Sequence, residues 1–440
     1  MPGLTPTAEI PFREALRFWV RLGFINFGGP TGQIAIMHDE LVERRGWIDE
    51  DRFLHALNFA MLLPGPEAHQ LAIYVGWLLH GAPGAIVAGV FFLLPALGLM
   101  IGLSWVYAVH GDIGWVSSIF AGLAWGVVGI VAAALVRIGG RTLRTPLAVT
   151  FAAAAFVAIF ALGVPFPIVI VVAAVGGLLA GRRIAGPGPT EPVSPVVGRA
   201  DVRPTWRRTA RVLGLGLVLW LAPLAAVVAV VGRDGVIADE AFFFALMALV
   251  TFGGAYAVLA YVNQAAVLRY GWLASGEMAV GLSLAETTPG PLILVVVFVG
   301  FVAAYRQPGD LAPAVGGLVG ALVTAWATFV PSFLWIFLGA PSVERLRGNR
   351  RLAAAFAAVT AAVVGVIANL ALVFAIGVLF DDRIVRRFGW HDLVLPSLPA
   401  VDLLAVGVAV GGFLAIRRYR VNVVWVVVAS GAIGLARWLL

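Results

Sequence analysis

Residues 61–77 read MLLPGPEAHQLAIYVGW, an apolar segment that is interrupted by a polar break. Leucine, isoleucine, valine and tryptophan lie on both sides of the break, as in a helix that is buried in lipid or protein. Pro64-Gly65-Pro66 divides the segment, and Glu67, His69 and Gln70 follow. Because proline lacks an amide hydrogen and its ring clashes with the preceding turn, the tripeptide should end one half-helix and begin another. Pro66 suits the first position of the second half-helix.

The composition is that of a polytopic membrane protein. Of 440 residues, 61% are hydrophobic and 12% are charged, whereas soluble domains have about 45–50% and about 25%. The mean hydropathy is +0.98. All 30 basic residues are arginine, which excludes a P-loop lysine and therefore an ATP-driven pump on this chain. There is no cysteine, which excludes disulfides and thiolate metal sites.

The predicted fold class is an all-α polytopic membrane protein with about 13 transmembrane helices, since each span needs about 20 apolar residues. The candidate spans lie near 11–30, 53–80, 85–109, 113–136, 146–162, 165–181, 210–231, 240–260, 279–305, 311–338, 351–380, 400–416 and 421–439. They divide into a first repeat at 1–181, a Pro/Gly/Arg-rich linker at 182–209, a connecting helix at 210–231 and a second repeat at 232–440.

The arginines predict the orientation. If the N-terminus is cytoplasmic and every candidate crosses, then Arg141, the linker and Arg417 lie inside, as the positive-inside rule requires. The net charge of +7 then marks cytoplasmic loops, and we expect no nucleic-acid partner. Two loops do not fit, because the groups around Arg44 and Arg383 would lie outside. The predicted location is the cytoplasmic (inner) membrane of a bacterium.

The chain is a tandem duplication. Phe27-Gly28-Gly29, Gly46-Trp47 and Pro64-Gly65-Pro66 recur 225 positions later as Phe252-Gly253-Gly254, Gly271-Trp272 and Pro289-Gly290-Pro291. An odd number of crossings between equivalent positions inverts the second copy. Inverted repeats with discontinuous helices build secondary transporters, whose substrate site lies near the midplane. The helices are therefore expected to break at the Gly-Gly and Pro-Gly-Pro motifs of both copies.

The breaks are candidate anion sites. A new half-helix presents free N–H groups and a positive dipole end, and glycine allows close approach. In the alternative interpretation, both Pro-Gly-Pro elements are kinks that neighbouring helices repair. Arg44 would supply charge at the mouth, or it pairs with the acids of its own loop. The candidate substrate-binding residues are Asn26, Gly28, Gly29, Pro30, Gln33, Arg44, Pro64, Gly65, Pro66, Gln70, Tyr74, Gly253, Gly254, Thr287, Thr288, Pro289, Gly290 and Pro291.

Glu67, Glu286 and His69 are candidates for proton coupling. Ionised carboxylates are costly inside a membrane and are by default functional, and burial favours their neutral, protonated form. A protonated carboxyl group would tolerate a dianion, so exchange of protons for substrate is one prediction. The alternatives are structural: the carboxylates pair with arginine, and His69 is a hydrogen-bonded packing residue.

These motifs resemble the chromate ion transporter family, in its long form with two chromate-transport domains. The resemblance covers roughly residues 12–110 and 240–340, and it implies a carrier that exports chromate and confers chromate resistance. Sulfate, a dianion of the same shape, is a related substrate or competitor. The residues matched in the two copies are Gly28, Gly29, Pro30, Arg44, Gly46, Trp47, Pro64, Gly65, Pro66, Glu67, Gln70, Gly253, Gly254, Gly271, Trp272, Glu286, Thr287, Thr288, Pro289, Gly290 and Pro291.

Energetics favour export. Each charge that crosses 100 mV is worth about 2.3 kcal/mol, so a dianion leaving an inside-negative cell gains roughly 4.6 kcal/mol. The competing predictions are a proton-coupled transporter of sulfate or another tetrahedral oxyanion, and an anion channel. An enzyme is not expected, because Gly-x-Ser-x-Gly and His-Glu-x-x-His motifs are absent. No cofactor or metal is predicted; the partners are chromate and the lipid bilayer, and a homodimer is left open.

Overall fold

The computed structural model describes residues 10–185, 205–251, 254–274, 276–339, 350–380, 382–388 and 391–440. Most of the predicted linker and Gly253 lie outside these ranges. The first copy contains α1 (Phe12–Ile25), α2 (Gly29–His38), α3 (Glu50–Ala60), α4 (Glu67–His110), α5 (Gly114–Thr142), α6 (Pro146–Phe160), α7 (Phe166–Ala180) and the short α8 (Arg182–Ala185).

The second copy follows a connecting helix and repeats this order. The connecting helix is α9 (Trp206–Val231), and the second copy contains α10 (Val236–Val250), α11 (Ala255–Asn263), α12 (Glu277–Thr287), α13 (Val295–Arg306), α14 (Pro313–Gly339), α15 (Arg350–Leu379), α16 (Leu403–Tyr419) and α17 (Val423–Leu439). Both α2 and α11 continue into a π-helical turn, at Asp39–Arg44 and Gln264–Arg269. The two turns are 225 residues apart, which is the offset of the sequence repeat.

A β-hairpin corrects the all-α prediction. Strand β1 (Arg383–Phe388) pairs antiparallel with β2 (His391–Pro396), between α15 and α16. The hairpin falls where three arginines interrupt the apolar sequence, so this stretch cannot continue as an apolar helix. An antiparallel ladder satisfies its backbone groups instead. The remaining regular structure of the described chain is helical.

α4 is a helical hairpin. Its backbone is non-helical at His80 and Gly81, where Gly81 has φ 66° and ψ −147°, a conformation that glycine tolerates. The arms at 67–79 and 82–110 fold back on each other, because His69 Nε2 lies 3.2 Å from the carbonyl oxygen of Gly89. Gly76 and Gly84 bring the two backbones into close contact. The arms correspond to α13 and α14 of the second copy.

α5 connects two ends of the molecule. We call the end near its C-terminus the Arg137 end, and the end where Ser117 and Arg437 line a common cavity the Arg437 end. At a rise of 1.5 Å per residue, Ser117 and Arg137 are about 30 Å apart, which matches the hydrocarbon thickness of a bilayer.

α1 and α2 enter and return at the Arg137 end. The second arm of α4 ends at the Arg437 end, so the bend at His80 lies at the Arg137 end. His80 Nε2 lies 2.8 Å from the carbonyl oxygen of Ile10, which places the start of α1 there. After α2, Arg45 returns to this region, 3.9 Å from Glu14 and over the ring of Phe18. The structure thus differs from the expectation that segment 11–30 crosses and that Arg44 and Arg45 lie at the opposite end.

The two copies interlock reciprocally. α5 of the first copy packs on α16 and α17, and α15 of the second copy packs on α6 and α7. Small residues permit this close approach: Gly122 lies against Ser430 and Gly434, and Gly365 lies against Ala152. Gly290 lies against Ala96, near the midpoint of the second arm of α4, so the break of the second copy is near the middle of the molecule.

Several helices have the length and composition of membrane spans. Among the described residues, five helices are long and apolar enough: Glu67–His110, Gly114–Thr142, Trp206–Val231, Pro313–Gly339 and Arg351–Leu379. Four shorter apolar helices accompany them: Pro146–Phe160, Phe166–Ala180, Leu292–Arg306 and Val423–Leu439.

Candidate functional site

The Pro-Gly-Pro breaks are closed by the opposite copy. The amide of Gly65 donates a 3.0 Å hydrogen bond to the carbonyl oxygen of Thr251, and the amide of Gly290 donates a 3.2 Å bond to that of Asn26. Asn26 and Thr251 are equivalent residues, 225 positions apart, each directly before a Phe-Gly-Gly motif. Gly65 and Gly290 have φ values of 132° and 105°, which favour glycine.

New helices begin after the glycine motifs. Pro66 is the N-cap of α4, one position earlier than the sequence predicts, and α4 starts at Glu67. Pro291 precedes a 3₁₀ turn at Leu292–Leu294 that leads into α13. Gly28 caps α2 with φ 91°, and Gly254 caps α11 with φ 90°. Four broken elements therefore present helix N-termini near the centre.

Three of these N-termini meet in a cavity of about 350 Å³ at the Arg137 end. The start of α2 contributes Pro30, the start of α4 contributes Glu67, and the start of α11 contributes Gly254 and Tyr256. The structure thus brings together predicted residues from both copies. Backbone N–H groups at helix starts and their positive dipole ends attract anions.

Two arginines of α5 complete the cavity. Arg137 and Arg141 are one helical turn apart and line the same wall. Both side chains are exposed, and neither forms an ion pair with a described carboxylate. Sequence reasoning missed them as site residues because it assigned them to a cytoplasmic loop. The i,i+4 spacing at the end of an apolar helix, which puts both on one face, could have indicated them.

The two predicted carboxylates occupy different positions. Glu67 is half-buried and lines the cavity, and its Oε1 lies 3.2 Å from the position that a β-carbon would take on Gly254. Glu286 is 4% exposed and accepts a 2.7 Å hydrogen bond from the hydroxyl of Tyr256. Tyr256, which lines the cavity, therefore lies between Glu286 and the cavity.

The predicted amide side chains stabilise the breaks rather than face the cavity. Gln33 Nε2 donates to the carbonyl oxygens of Asn26, at 3.1 Å, and Gly290. Gln70 Nε2 donates a 2.7 Å bond to the carbonyl oxygen of Pro64. Asn26 Nδ2 lies 3.4 Å from the carbonyl oxygen of Phe92. These donors are thus used by the backbone of the broken segments.

Two aromatic candidates lie in packed surroundings. His69 is fully buried, with its ring centroid 5.6 Å and 5.5 Å from those of Phe329 and Phe333. Tyr74 is buried and stacks on Trp77, with ring centroids 5.8 Å apart. Neither residue lines the cavity at the Arg137 end.

Three further polar candidates are engaged locally. The hydroxyl group of Thr287 donates a 2.9 Å hydrogen bond to the carbonyl oxygen of Leu284. The hydroxyl group of Thr288 donates a 3.2 Å hydrogen bond to the carbonyl oxygen of Ala285. Arg44 pairs with Asp39 at 2.9 Å and with Glu40 at 3.2 Å. The last contacts agree with the alternative in which Arg44 pairs within its own loop.

A second cavity, of about 660 Å³, opens at the Arg437 end. Arg306 donates two hydrogen bonds, of 2.8 Å and 2.7 Å, to the carboxylate of Glu277, which also accepts a 2.6 Å bond from the Tyr107 hydroxyl. Arg437 pairs with Asp402 in the same cavity. Both arginines here are neutralised, in contrast to those at the Arg137 end.

Comparison with known proteins identifies the family. The sequence profile of the chromate transporter family matches residues 13–178 and 239–435. The chain belongs to the chromate transporter family. The matched regions extend beyond those that the quoted motifs cover, to α7 in the first copy and into α17 in the second. Family membership and the apolar helices together make this a multi-pass membrane protein.

Several relatives cover most of this family member. A chromate transport protein of Pseudomonas aeruginosa is 30% identical over 424 residues, which is 96% of this chain and 90% of the relative. One of Cupriavidus metallidurans is 28% identical over 365 residues, 82% of each chain. A probable chromate transport protein of Synechococcus elongatus is 27% identical over 364 residues, 82% of this chain and 84% of the relative. No solved structure matches the chain.

Proposed function

We propose that this protein is a secondary transporter that exports chromate across the cytoplasmic membrane of a bacterium and thereby confers chromate resistance. The observation that carries the proposal is the cavity at the Arg137 end, where Arg137 and Arg141 face the N-termini of α2, α4 and α11. The named relatives, which are chromate transport proteins, support the choice of substrate.

The donors suit a tetrahedral dianion. A guanidinium group can bind two oxyanion oxygens at once, and the two arginines of α5 can balance a charge of −2. The N-termini of α2, at Pro30, and of α11, at Gly254, add partial positive charge at low desolvation cost. A volume of about 350 Å³ is within the usual range for small-molecule sites, so the anion would enter with part of its hydration shell.

The same donors do not distinguish chromate from sulfate, because both anions have the same charge and shape. The alternative is therefore a proton-coupled transporter of sulfate or another tetrahedral oxyanion. An anion channel is a further alternative, but the two cavities lie at opposite ends of α5. Buried residues such as Glu286 and Ser283 on α12 lie between them, which favours a carrier that opens to one end at a time.

We further propose that the two copies are inverted repeats. The first arm of α4 runs from the central break to the Arg137 end, whereas its counterpart α13 runs to Arg306 at the Arg437 end. Equivalent half-helices thus point in opposite directions. The thirteen predicted segments then become nine crossings and four re-entrant pairs, at 11–30, 53–80, 240–260 and 279–305. The predicted domain boundaries, which end the first repeat at 181 and begin the second at 232, are retained.

The orientation follows from arginine. Arg141, Arg208 and Arg351 lie at helix termini of the Arg137 end, and the end of α16 adds Arg417 and Arg418. By the positive-inside rule this end, with the N-terminus, is cytoplasmic. Chromate then enters the arginine-lined cavity from the cytoplasm and leaves from the cavity lined by Arg437.

Coupling is assigned to Glu67. Its carboxylate lies in the cavity with the two arginines, so an ionised Glu67 and a bound dianion would compete for the same positive charge. Protonation of Glu67 would favour anion binding, and ionisation of Glu67, with its proton released to the cytoplasm, would favour release of the anion to the outside. The membrane potential alone supplies roughly 4.6 kcal/mol per 100 mV for a dianion, so both driving forces support export.

The test is chromate flux in proteoliposomes that contain the purified protein. An imposed membrane potential is applied first without and then with a pH gradient, and sulfate is added as competitor. Saturable, potential-driven chromate flux with counterflow supports the proposal. Robust sulfate flux without chromate flux would support the alternative, and flux without saturation or counterflow would support a channel.

A further inference from the structure

A line of unpartnered polar side chains runs along the interior of the molecule, away from the arginine-lined cavity. Thr324, Thr328 and Ser332 follow one another at four-residue intervals on α14, and Glu240 of α10 lies beside the preceding turn. All four are at most 3% exposed. None of their side-chain oxygens has a hydrogen-bond partner among the described residues. We call these four residues the α14 stripe.

Both ends of the stripe are defined by contacts. Glu240 Oε2 lies 2.8 Å from the position that a β-carbon would take on Gly320, one turn before Thr324. At the other end, Ser332 Oγ lies 3.1 Å from the corresponding position on Gly65. Gln70, whose Oε1 is also buried without a partner, contacts the same glycine. The stripe therefore leads from α10 to the Pro64-Gly65-Pro66 break.

The stripe also leads from one end of the molecule toward the other. α14 begins near Arg306, since Gly316 packs on Ala304 and Pro308, and it ends near the start of α9, where Arg208 contacts Phe337. Glu240 thus lies toward the Arg437 end and Ser332 toward the Arg137 end. The neighbouring Asp239 is exposed. Gly320 and Ser332 are twelve positions apart on α14, which corresponds to about 18 Å along the helix axis.

Buried polar groups without partners are rare and call for water or an ion. Side chains four residues apart on a helix are separated by about 6 Å along its axis, too far for a direct hydrogen bond. One water molecule in each interval can bridge that distance with two hydrogen bonds of about 2.8 Å. A hydroxyl group both donates and accepts, so such a file of water and hydroxyl groups is continuous for a proton.

We propose that the α14 stripe holds a file of water molecules that conducts protons between Glu240 and the break at Gly65, from which they reach Glu67. This inference rests on the proposed function, because it gives the transporter a proton path separate from the anion path. Protons would enter past Asp239 at the Arg437 end, whereas chromate would enter at the Arg137 end and leave through the cavity lined by Arg437. The carrier is then a proton–oxyanion antiporter.

Glu240 is isolated from other titratable groups on the surrounding helices. Its own helix adds only Asp239, and α14 has no titratable side chain. α13 has Tyr305 and Arg306 at its last two positions, and α9 has its three arginines in its first two turns, at the Arg137 end. A proton on Glu240 therefore exchanges with the stripe rather than with an ion-pair network.

The test measures proton and chromate fluxes together. Proteoliposomes with a pH-sensitive dye inside receive a chromate gradient while potassium and valinomycin clamp the membrane potential. We expect wild-type protein to move protons against chromate. Glu240→Gln and Thr328→Val should lower the coupled proton flux at least tenfold and retain chromate flux driven by membrane potential. Asp310→Asn, an exposed carboxyl group before α14, and Thr150→Val, an exposed threonine of α6, should stay within twofold.

The outcomes separate the two proposals. Absence of chromate flux in the wild type would contradict the proposed function. Chromate flux with unchanged proton coupling in both Glu240→Gln and Thr328→Val would overturn the proton path alone.

A second measurement does not depend on transport. Hydroxyl radicals generated by X-ray pulses label buried side chains that contact water. We expect Phe329, next to Thr328, to be labelled, and Phe166, a buried phenylalanine of α7 that stacks on Tyr261, to be protected. Equal protection of both would overturn the water file.

Discussion

The amide of Gly65 is hydrogen-bonded to the carbonyl oxygen of Thr251, 186 positions along the chain and in the other copy of the repeat. The equivalent bond joins Gly290 to Asn26. In each Pro-Gly-Pro break, the glycine amide therefore donates to a carbonyl oxygen of the other copy. That carbonyl oxygen belongs to the residue directly before the Phe-Gly-Gly motif, where the preceding helix ends. Neither glycine amide finds its acceptor within its own copy, so a relative movement of the two copies has to disturb both bonds.

Glycine should be required at both breaks. Gly290→Ala would place a β-carbon 2.6 Å from that of Ala96, and Gly65→Ala would place one 2.5 Å from Gln70 Nε2, both at positive φ. We expect each variant to lose chromate flux while it still inserts into the membrane. Gly309→Ala is the control, because this glycine also has positive φ but no heavy atom lies near its β-carbon position. Normal transport in both break variants would contradict this role.

The arginines of α5 should determine anion affinity. Arg137→Gln or Arg141→Gln removes one charge-assisted donor, worth about 1.5–3 kcal/mol, so the KM for chromate should rise roughly 10- to 100-fold. Arg137→Lys should recover part of the loss, since it keeps the charge without the planar fork. Arg144→Gln, an exposed arginine that does not line the cavity, is the control. Unchanged KM in both cavity variants would place the substrate elsewhere.

Gln33 should be a structural brace rather than a substrate ligand. Its amide donates to the carbonyl oxygens of Asn26 and Gly290, so Gln33→Glu would set a carboxylate against two carbonyl oxygens. We expect a loss of at least about 3 kcal/mol in the free energy of unfolding, measured by thermal unfolding in detergent. The same change at the exposed Gln307 should be neutral. A variant of unchanged stability but raised KM would instead make Gln33 a ligand.

The re-entrant entry of α1 and α2 can be tested directly, because the chain contains no cysteine. Single variants Arg52→Cys and Arg144→Cys should react with a membrane-impermeant maleimide from the same side. Asp112→Cys, which lines the cavity at the Arg437 end, should react from the opposite side. Labelling of Arg52→Cys together with Asp112→Cys would instead support a full crossing by segment 11–30.

The ion pair of Asp402 should make stability depend on pH. Burial raises the pKa of this carboxyl group, but hydrogen bonds from Arg437 and from the amides of Ala405 and Leu404 outweigh it, so the net pKa lies below the usual aspartate value. A carboxylate whose pKa is lowered by folding stabilises the fold above the unfolded-state pKa of about 3.9, and this contribution is lost as the pH falls.

Asp402→Asn isolates this pair, because asparagine caps helices as well as aspartate does. We expect the variant to lose up to about 1 kcal/mol of the free energy of unfolding at pH 7. This difference from the wild type should disappear as the pH falls below about 4. Thermal unfolding over a series of pH values measures both effects. Asp112→Asn, in the same cavity, should show neither effect. A constant difference at all pH values would mean that the ion pair is not responsible.

Much of the architecture could be predicted from local patterns. Apolar runs of about 20 residues predict spans, and Pro64-Gly65-Pro66 predicts a helix break from the missing amide of proline. The fixed offset of 225 residues predicts that every broken element has a counterpart. The hydropathy pattern could not separate a crossing from a re-entrant pair, because both are apolar segments of similar length.

The sequence by itself determined the duplication, the broken helices, the membrane class and the motifs of the chromate transporter family, because each of these depends on residues that are near neighbours or in register. Only the tertiary structure decided which side chains meet. Glu67, Arg137 and Gly254 are far apart in the chain, and they line one cavity because α5 packs across the interface of the two copies. In the same packing, the side chains of Gln33 and Gln70 donate hydrogen bonds to backbone carbonyl oxygens of the breaks. The reason is that the backbone polar groups of a buried helix break need hydrogen-bond partners.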